Sequence, residues 1–325
     1  MERTLSYVEA VREATDQEME ADPSVFVFGL DVDDPKAIQG TTRGLATKYG
    51  PERVFGTPLS EDAMTGVAIG AALAGMRPIH VHIRMDFLML AMNQLVNVAA
   101  KSRYMYGGQV HIPLVIRSMI GKSWGQGAQH SQSLYAFFMH VPGLKVVTYS
   151  NPTDGYGLVR TALRDENPVV FLDHKALFAA KGDAPAEGTV IPFGQARICR
   201  EGKDVTLVAV AMMVPRALEA VEQLAAEASV EVIDPRTLAP LDTAAIFASV
   251  EKTGRLLIVD EAYPTCSFAS EVAALVARER LYELDAPIRT LNARPVPHPL
   301  SPPLEEATVP QVADIVAAVR ALMED

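Results

Sequence analysis

The chain has 325 residues, of which 49% are hydrophobic and 21% charged, and its formal net charge is −11. This composition is typical of a globular protein long enough for two domains. The acidic balance argues against nucleic acid as the main partner, because phosphate binding needs a basic surface. Two cysteines, Cys199 and Cys266, cannot form a disulfide framework. No apolar run approaches the roughly 20 residues of a membrane span, and the N-terminus resembles an amphipathic helix rather than a signal peptide. We therefore expect a soluble, cytoplasmic protein.

Short apolar runs alternate with longer helical stretches in the first half of the chain. The runs are rich in β-branched residues and bounded by Pro, Gly or polar residues, which predicts strands. Their near-continuous apolarity predicts a parallel sheet buried on both faces. The predicted strands are 25–30, 78–83, 113–118, 144–149 and 168–173, and the predicted helices are 61–75, 86–106, 131–140 and 152–165.

A second series of the same kind follows. Its predicted strands are 204–211, 230–235, 255–262 and 287–292, and its predicted helices are 213–227, 242–252, 268–280 and 309–323. A Gly-, Pro- and Ala-rich segment at 179–194 is the predicted linker, and the Pro-rich segment 293–306 is predicted to be an extended loop. Strands spaced by helices indicate an α/β protein of two domains with parallel sheets, here residues 1–185 and 186–325.

Two acidic residues begin the predicted helix 61–75. Ser60 suits the N-cap, and Glu61 and Asp62 fall in the first turn. Acids in a first turn complement the helix dipole, and that alone could explain both. The small residues that follow predict close packing against a neighbouring element.

Two further residues could have a chemical role. Phe87 lies near the start of the predicted helix 86–106, where it is either a core residue or a ring that faces a pocket. His130 ends a Gly-rich loop, where an imidazole can transfer a proton near neutral pH, although the sequence shows no partner for it. In the same loop, Lys122 and Trp124 stand among glycines, where a bulky ring fills space and a cation favours an acidic ligand.

A helix-to-strand junction carries Asp165 and Asn167 within RDENPVVFLD (164–173). Turn chemistry explains both residues, because Asp, Asn and Pro are expected in turns. A cation site lined by backbone groups is the alternative interpretation.

Taken together, these segments resemble a known family. The strings TPLSE, AQHSQS, PGLKVV, DENPVVFLDH and DPRTLAPLD follow in the order and spacing of the β subunits of thiamine-diphosphate-dependent 2-oxo acid dehydrogenases. That group includes the heterotetrameric pyruvate, branched-chain and acetoin dehydrogenases. The resemblance covers nearly the whole chain. It implies a transketolase-like pyrimidine-binding domain and a transketolase C-terminal-like domain.

The resemblance also implies roles for single residues. Glu61 is expected to hydrogen bond N1′ of the cofactor aminopyrimidine, which helps form the imino tautomer, and His130 is expected to reach the substrate end; these are the two candidate catalytic residues. The aminopyrimidine pocket is expected to be formed by Leu59, Ile83 and Phe87 together with Glu61. Asp165 and Asn167 match a segment that in some members binds a structural monovalent cation such as K⁺.

The chain departs from the family pattern at Arg84, Lys122, Trp124 and residues 266–271. It also has no GDG motif and no glycine-rich phosphate loop after a strand. We therefore expect an α subunit to hold the diphosphate and its Mg²⁺ in an α₂β₂ heterotetramer, with a lipoyl acyltransferase core as a further partner. The expected activity is oxidative decarboxylation of a 2-oxo acid, or cleavage of acetoin, with acyl transfer to lipoamide. A split transketolase-like subunit and a catalytically weak scaffold subunit are the alternatives.

Overall fold

A computed structural model describes residues 3–325, which form two compact units. The first unit runs to residue 120 and resumes over residues 137–193. The second unit consists of residues 121–136 and 194–325. The domain boundary predicted between residues 185 and 186 stays a prediction.

The first unit is a parallel sheet with helices. Six strands lie in the order β6-β7-β5-β4-β2-β3, and each neighbouring pair is parallel. A separate antiparallel pair joins β1 and β8. The strands are β1 (Thr4–Ser6), β2 (Val25–Gly29), β3 (Val54–Gly56), β4 (Arg77–His82), β5 (Val115–Ile120), β6 (Lys145–Thr148), β7 (Val169–His174) and β8 (Lys181–Asp183).

Helices connect these strands. They are α1 (Tyr7–Ala21), α2 (Leu45–Tyr49), α3 (Glu61–Leu73), α4 (Met85–Leu88), α5 (Ala100–Met105), α6 (Ala136–Met139) and α7 (Pro152–Arg164). Capping side chains and prolines set where some of these helices begin. For example, the Asn151 side chain accepts a hydrogen bond from the backbone N–H of Asp154, and Pro152 takes the first position of α7.

One predicted helix of this region differs from the structure. The helix predicted over 86–106 is helical without interruption from Met85 to Met105, and consists of α4, a 3₁₀ turn (Met89–Ala91), a π-helical turn (Gln94–Ala99) and α5. The helix predicted over 131–140 is only α6. Residues 131–135 belong to the second unit, where the Tyr135 hydroxyl donates to the buried Asp260 carboxylate, and α6 begins only at Ala136.

The second unit has a five-stranded sheet in the order β14-β13-β10-β11-β9, parallel except for the antiparallel edge strand β9. Its core consists of apolar residues from the strands and from helices α8 and α12, such as Leu207, Val232 and Val319. The strands are β9 (Arg197–Arg200), β10 (Val205–Ala209), β11 (Val230–Asp234), β12 (Thr237–Ala239), β13 (Leu256–Val259) and β14 (Arg289–Leu291). The helices are α8 (Met213–Gln223), α9 (Thr243–Thr253), α10 (Phe268–Glu279), α11 (Pro302–Glu306) and α12 (Val312–Glu324).

The two parallel sheets confirm the predicted α/β class. The Pro-rich segment 293–306 is not wholly extended, because its last residues form α11, which begins with two prolines where their missing N–H groups cost nothing. Among the described residues, no helix has the length and apolarity needed to cross a membrane.

Candidate active site

The first part of the site lies where the parallel strands of the first unit end. Ligands of open α/β sheets bind at the carboxyl ends of the strands. Strand β3 ends at Gly56, the Thr57 N–H donates to the Gly29 carbonyl of β2 (3.1 Å), and α3 begins at Glu61. Ser60 occupies the N-cap position as predicted, but its side chain makes no capping hydrogen bond.

The predicted pocket residues flank this point. Glu61 and Ile83 are half-buried, whereas Leu59 is 80% exposed and Phe87 is 36% exposed. Leu59 lies two residues before Glu61, Ile83 directly follows the end of β4, and Phe87 lies in α4. Arg84 lies between them, and its guanidinium donates to the carbonyl of Ile83 (2.9 Å).

A small cavity of about 10 Å³ lies behind Glu61. Its volume suits one water molecule, and polar and apolar side chains both line it. The lining residues come from the end of β2, the loop before α3, the first turn of α3 and the end of β4: Leu30, Thr57, Pro58, Ser60, Glu61, Met64, His80, Val81 and His82.

Two residues of the cavity lining, His80 and His82, have no role predicted from the sequence. His80 and His82 lie on β4, a strand paired on both sides, and each is 2% exposed. Burial lowers the pKa of His82 to about 4, and burial together with the neighbouring His82 holds the pKa of His80 well below its ordinary value. The sequence signal for this pair is the presence of two polar residues, at positions i and i+2, in the predicted strand 78–83, which is otherwise apolar.

A second group of predicted residues lies in the second unit, on the segment before α6. The backbone N–H of Lys122 donates to Glu261 (2.7 Å), that of Ser123 donates to Glu305 (3.1 Å), and the buried Lys122 ammonium pairs with Glu306. Three successive contacts therefore fix the start of the loop that carries His130.

The same loop is tightly constrained further along. Gly125 has φ +59°, and a Cβ there would lie 2.9 Å from the Leu300 carbonyl oxygen. Trp124 is held at φ +65°, in the left-handed region that few side chains adopt, and is 48% exposed. His130 is half-buried, and its backbone N–H donates to the Gly127 carbonyl (3.3 Å).

Asp165 and Asn167 lie apart from Glu61, at the opposite edge of the same sheet, because they precede β7 whereas Glu61 follows β3. The Asp165 carboxylate pairs with the Lys145 ammonium and accepts from Asn167 Nδ2 (3.0 Å). The Asn167 side-chain oxygen accepts from Arg103 (2.9 Å). The side-chain oxygens of both residues thus have protein partners, and the monovalent cation site stays a prediction.

Two family models match the chain. The transketolase pyrimidine-binding domain matches residues 3–181, and the transketolase C-terminal domain matches residues 194–315. The β subunit of acetoin:2,6-dichlorophenolindophenol oxidoreductase from Cupriavidus necator is 46% identical over 100% of this chain and 99% of its own length. The mitochondrial pyruvate dehydrogenase E1 component subunit beta-2 of rice is 44% identical over 96% of this chain and 84% of its own length.

The chain belongs to the β-subunit family of the pyruvate and acetoin dehydrogenases. This family is transketolase-like and depends on thiamine diphosphate. A split-gene transketolase, solved as an inactive β4 tetramer, has the same fold, with a TM-score of 0.80 over 98% of both chains at 23% identity. The transketolase of Leishmania mexicana matches with a TM-score of 0.73, and this chain spans about half of it.

The residues at the strand ends fit the aminopyrimidine end of thiamine diphosphate. Glu61 offers a carboxyl after β3, and Leu59 and Phe87 offer exposed apolar side chains after β3 and β4. A carboxyl can bond a ring nitrogen, and apolar side chains can cover the ring faces. Among the described residues, no three His, Cys, Asp or Glu side chains converge as metal ligands.

Proposed function

We propose that this chain is the β subunit of an enzyme that oxidatively decarboxylates a 2-oxo acid, or cleaves acetoin, and transfers the acyl group to lipoamide. The observation that carries the proposal is the position of Glu61, half-buried at the start of α3 and at the carboxyl edge of the parallel sheet. The identity of 46% to an acetoin-oxidising relative and 44% to a pyruvate dehydrogenase supports both substrate classes equally.

Thiamine diphosphate, when bound, supplies a nucleophilic thiazolium carbon and an internal base on its own aminopyrimidine. The Glu61 carboxyl holds a proton at N1′ of that ring and so favours the basic imino form of the internal base. Leu59, Ile83 and Phe87 pack on the ring and exclude water from it. His130 moves a proton at the substrate end.

Trp124 and Lys122 are proposed to shape the substrate entrance by different means. Trp124 is 48% exposed and can contact a substrate. Lys122 is buried and its charge is compensated by Glu306, so its contribution is to hold the loop in place.

The partner that covers this site is proposed to be an α subunit. The face of α3 beyond Glu61 is apolar yet exposed, with Val67 at 52% and Leu73 at 50%. A Cβ at Gly70 would meet open space, which allows close approach of another chain. Contiguous exposed apolar groups mark a protein interface.

The α subunit is also proposed to hold the diphosphate and Mg²⁺, since this sequence lacks a GDG motif. The assembly is proposed to be an α₂β₂ heterotetramer, with a lipoyl acyltransferase core as its acyl acceptor. The split transketolase alternative has weaker support, because the transketolase likeness is one of fold at 23% identity.

The experiment that tests the proposal compares the chain alone with the chain coexpressed with its α subunit. Thiamine diphosphate binding with Mg²⁺ is measured by calorimetry. Turnover of pyruvate, branched-chain 2-oxo acids, acetoin and a ketose donor is measured with 2,6-dichlorophenolindophenol as acceptor. We expect tight binding and turnover of a 2-oxo acid or acetoin only in the complex. Tight binding by the β chain alone, or ketose transfer as the sole activity, would contradict the proposal.

A further inference from the structure

Two histidine rings and a threonine form a closed polar cluster beneath the first turn of α3. His80 and His82 point to the same face of β4, because they are two residues apart in a strand. His82 Nε2 lies 3.2 Å from His80 Nδ1. The hydroxyl of Thr65, on α3, lies 3.4 Å from His80 Nδ1 and 3.3 Å from His82 Nε2.

Two neutral imidazole rings can make all the hydrogen bonds of the cluster. When His82 carries its proton on Nε2 and His80 accepts at Nδ1, the Thr65 hydroxyl can accept from the first and donate to the second. Burial keeps the pKa of both imidazoles below neutrality, so both rings are uncharged at pH 7. The cluster therefore acts through hydrogen bonds and shape rather than through charge.

The cluster is connected to Glu61 in two ways. Thr65 lies one helical turn after Glu61 on the same face of α3. Both histidines and Glu61 also line the cavity of about 10 Å³, which has room for one water molecule and offers it these three polar side chains.

We propose that His80, His82 and Thr65 are positioning residues that orient the Glu61 carboxyl through one water held in this cavity. The inference rests on the proposed function of Glu61 and names residues that act on it without touching the cofactor. The alternative is that the two histidines are core residues that only hydrogen bond each other. A central strand would then be served as well by apolar side chains, since buried polar groups cost free energy unless they are paired.

The test uses the complex with its α subunit and four variants. Thr65→Val removes the shared hydroxyl with little change in volume, and Thr148→Val is its matched control, because Thr148 is another fully buried threonine, on β6. His82→Phe keeps a ring without nitrogens, and His82→Gln restores an amide nitrogen near the position of Nε2. The readouts are the near-ultraviolet circular dichroism that distinguishes amino and imino forms of bound thiamine diphosphate, its affinity, kcat and the unfolding temperature.

We expect Thr65→Val and His82→Phe to shift the amino–imino balance and to lower kcat by ~5–30-fold, the scale of one or two lost hydrogen bonds. His82→Gln should recover most of both effects, with cofactor affinity nearly unchanged throughout. The proposal is overturned if Thr65→Val lowers the unfolding temperature as Thr148→Val does but leaves the dichroism and kcat at wild-type values. If His82→Phe fails to fold, the comparison of Thr65→Val with Thr148→Val still tests the proposal. If Glu61→Gln itself retains activity, the proposed function fails instead, so the two failures are distinguishable.

Discussion

Glu61 and Asp62 are adjacent acids in one helical turn, and their difference in role can be measured. Both complement the dipole of α3, so a purely electrostatic role predicts similar effects of removing either charge. If Glu61 shares a proton with the aminopyrimidine, Glu61→Gln should lower kcat by ~10²–10⁴-fold. Asp62→Asn should leave kcat within about threefold, because Asp62 is exposed and its carboxylate accepts only a long 3.5 Å bond from Gln94. Equal kcat values for the two variants would remove Glu61 from the reaction.

His130 should affect turnover rather than cofactor binding. Its proposed place is the substrate end, so His130→Ala should lower kcat by ~10²-fold or more while the affinity for thiamine diphosphate changes little. Calorimetry and steady-state rates on the same preparation separate the two. A collapse of affinity with an unchanged rate per bound cofactor would assign His130 to cofactor binding instead.

His82 should make stability depend on pH. Its pKa is about 4 in the folded chain and about 6.5 in an unfolded one. Between these values the unfolded chain binds a proton that the folded chain does not, so acidification favours unfolding. The difference corresponds to about 3 kcal/mol of unfolding free energy, retained above pH ~6.5 and lost as the pH falls towards ~4.

The measurement is urea unfolding of the wild type and of His82→Gln at several values between pH 4.5 and 7. The variant should lose part of the slope, while His80 contributes a slope of the same sign in both proteins. Parallel profiles would show that the His82 ring is not the group that titrates.

At the scale of elements, Gly125 is one of the glycines that fix the loop that carries His130. An alanine at φ near +60° costs about 1 kcal/mol wherever it lies. Gly125 and Gly107 have φ +59° and +60°, but only at Gly125 would the new methyl group meet a backbone oxygen, at 2.9 Å; around Gly107 it would meet nothing within 4 Å.

Gly125→Ala should therefore lower the unfolding temperature more than Gly107→Ala and should speed proteolysis between residues 121 and 135. Limited proteolysis and thermal unfolding of both variants check this. Identical behaviour of the two would mean that the loop shifts at no cost and that the contact with Leu300 does not constrain it.

The regular elements were predictable from the sequence because their signals are local. The strands PIHVHI and LKVVTY are short apolar runs rich in β-branched residues, and α7 has its own capping residues. The helix predicted over 86–106 was predictable in this way, but its 3₁₀ and π-helical turns were not, because apolar periodicity does not distinguish these helix types.

The candidate site was predictable only in part. Glu61, Phe87 and His130 came from the resemblance of short strings to a family, while their burial and surroundings depend on distant residues. The contacts of Lys122 with Glu261 and Glu306 join positions 139 and 184 residues apart, which no local pattern reveals. No role was predicted for His80 and His82 from the sequence, because a buried strand is recognised by its apolar residues and its polar residues add nothing to that pattern.

At the scale of the whole molecule, the exposed face of α3 should decide assembly. Val67→Lys places a charge where an α subunit is proposed to pack, and desolvating an unpaired charge at an interface is costly. The matched control is Val190→Lys, at a valine of similar exposure, 45% against 52%, elsewhere on the same unit.

Light scattering of each variant coexpressed with the α subunit measures the mass of the complex. Val67→Lys should reduce the fraction of heterotetramer by ~10-fold or more, and Val190→Lys should not. An unchanged mass for Val67→Lys would place the α subunit on another surface.

The sequence distance between the His130 loop and its anchors also bears on how the protein is made. Ser123 is fixed by Glu305, 182 residues later in the chain. A ribosome that adds about 5–20 residues per second needs on the order of 10–40 s to reach that glutamate. During this interval β6 and β7 complete the parallel sheet of the first unit, whereas Glu305 and Glu306, which contact the start of the loop, are still to be made. Two of the three contacts that fix the start of the loop therefore form only after residues 305 and 306 are made, and a chain released before them would carry His130 without those two contacts.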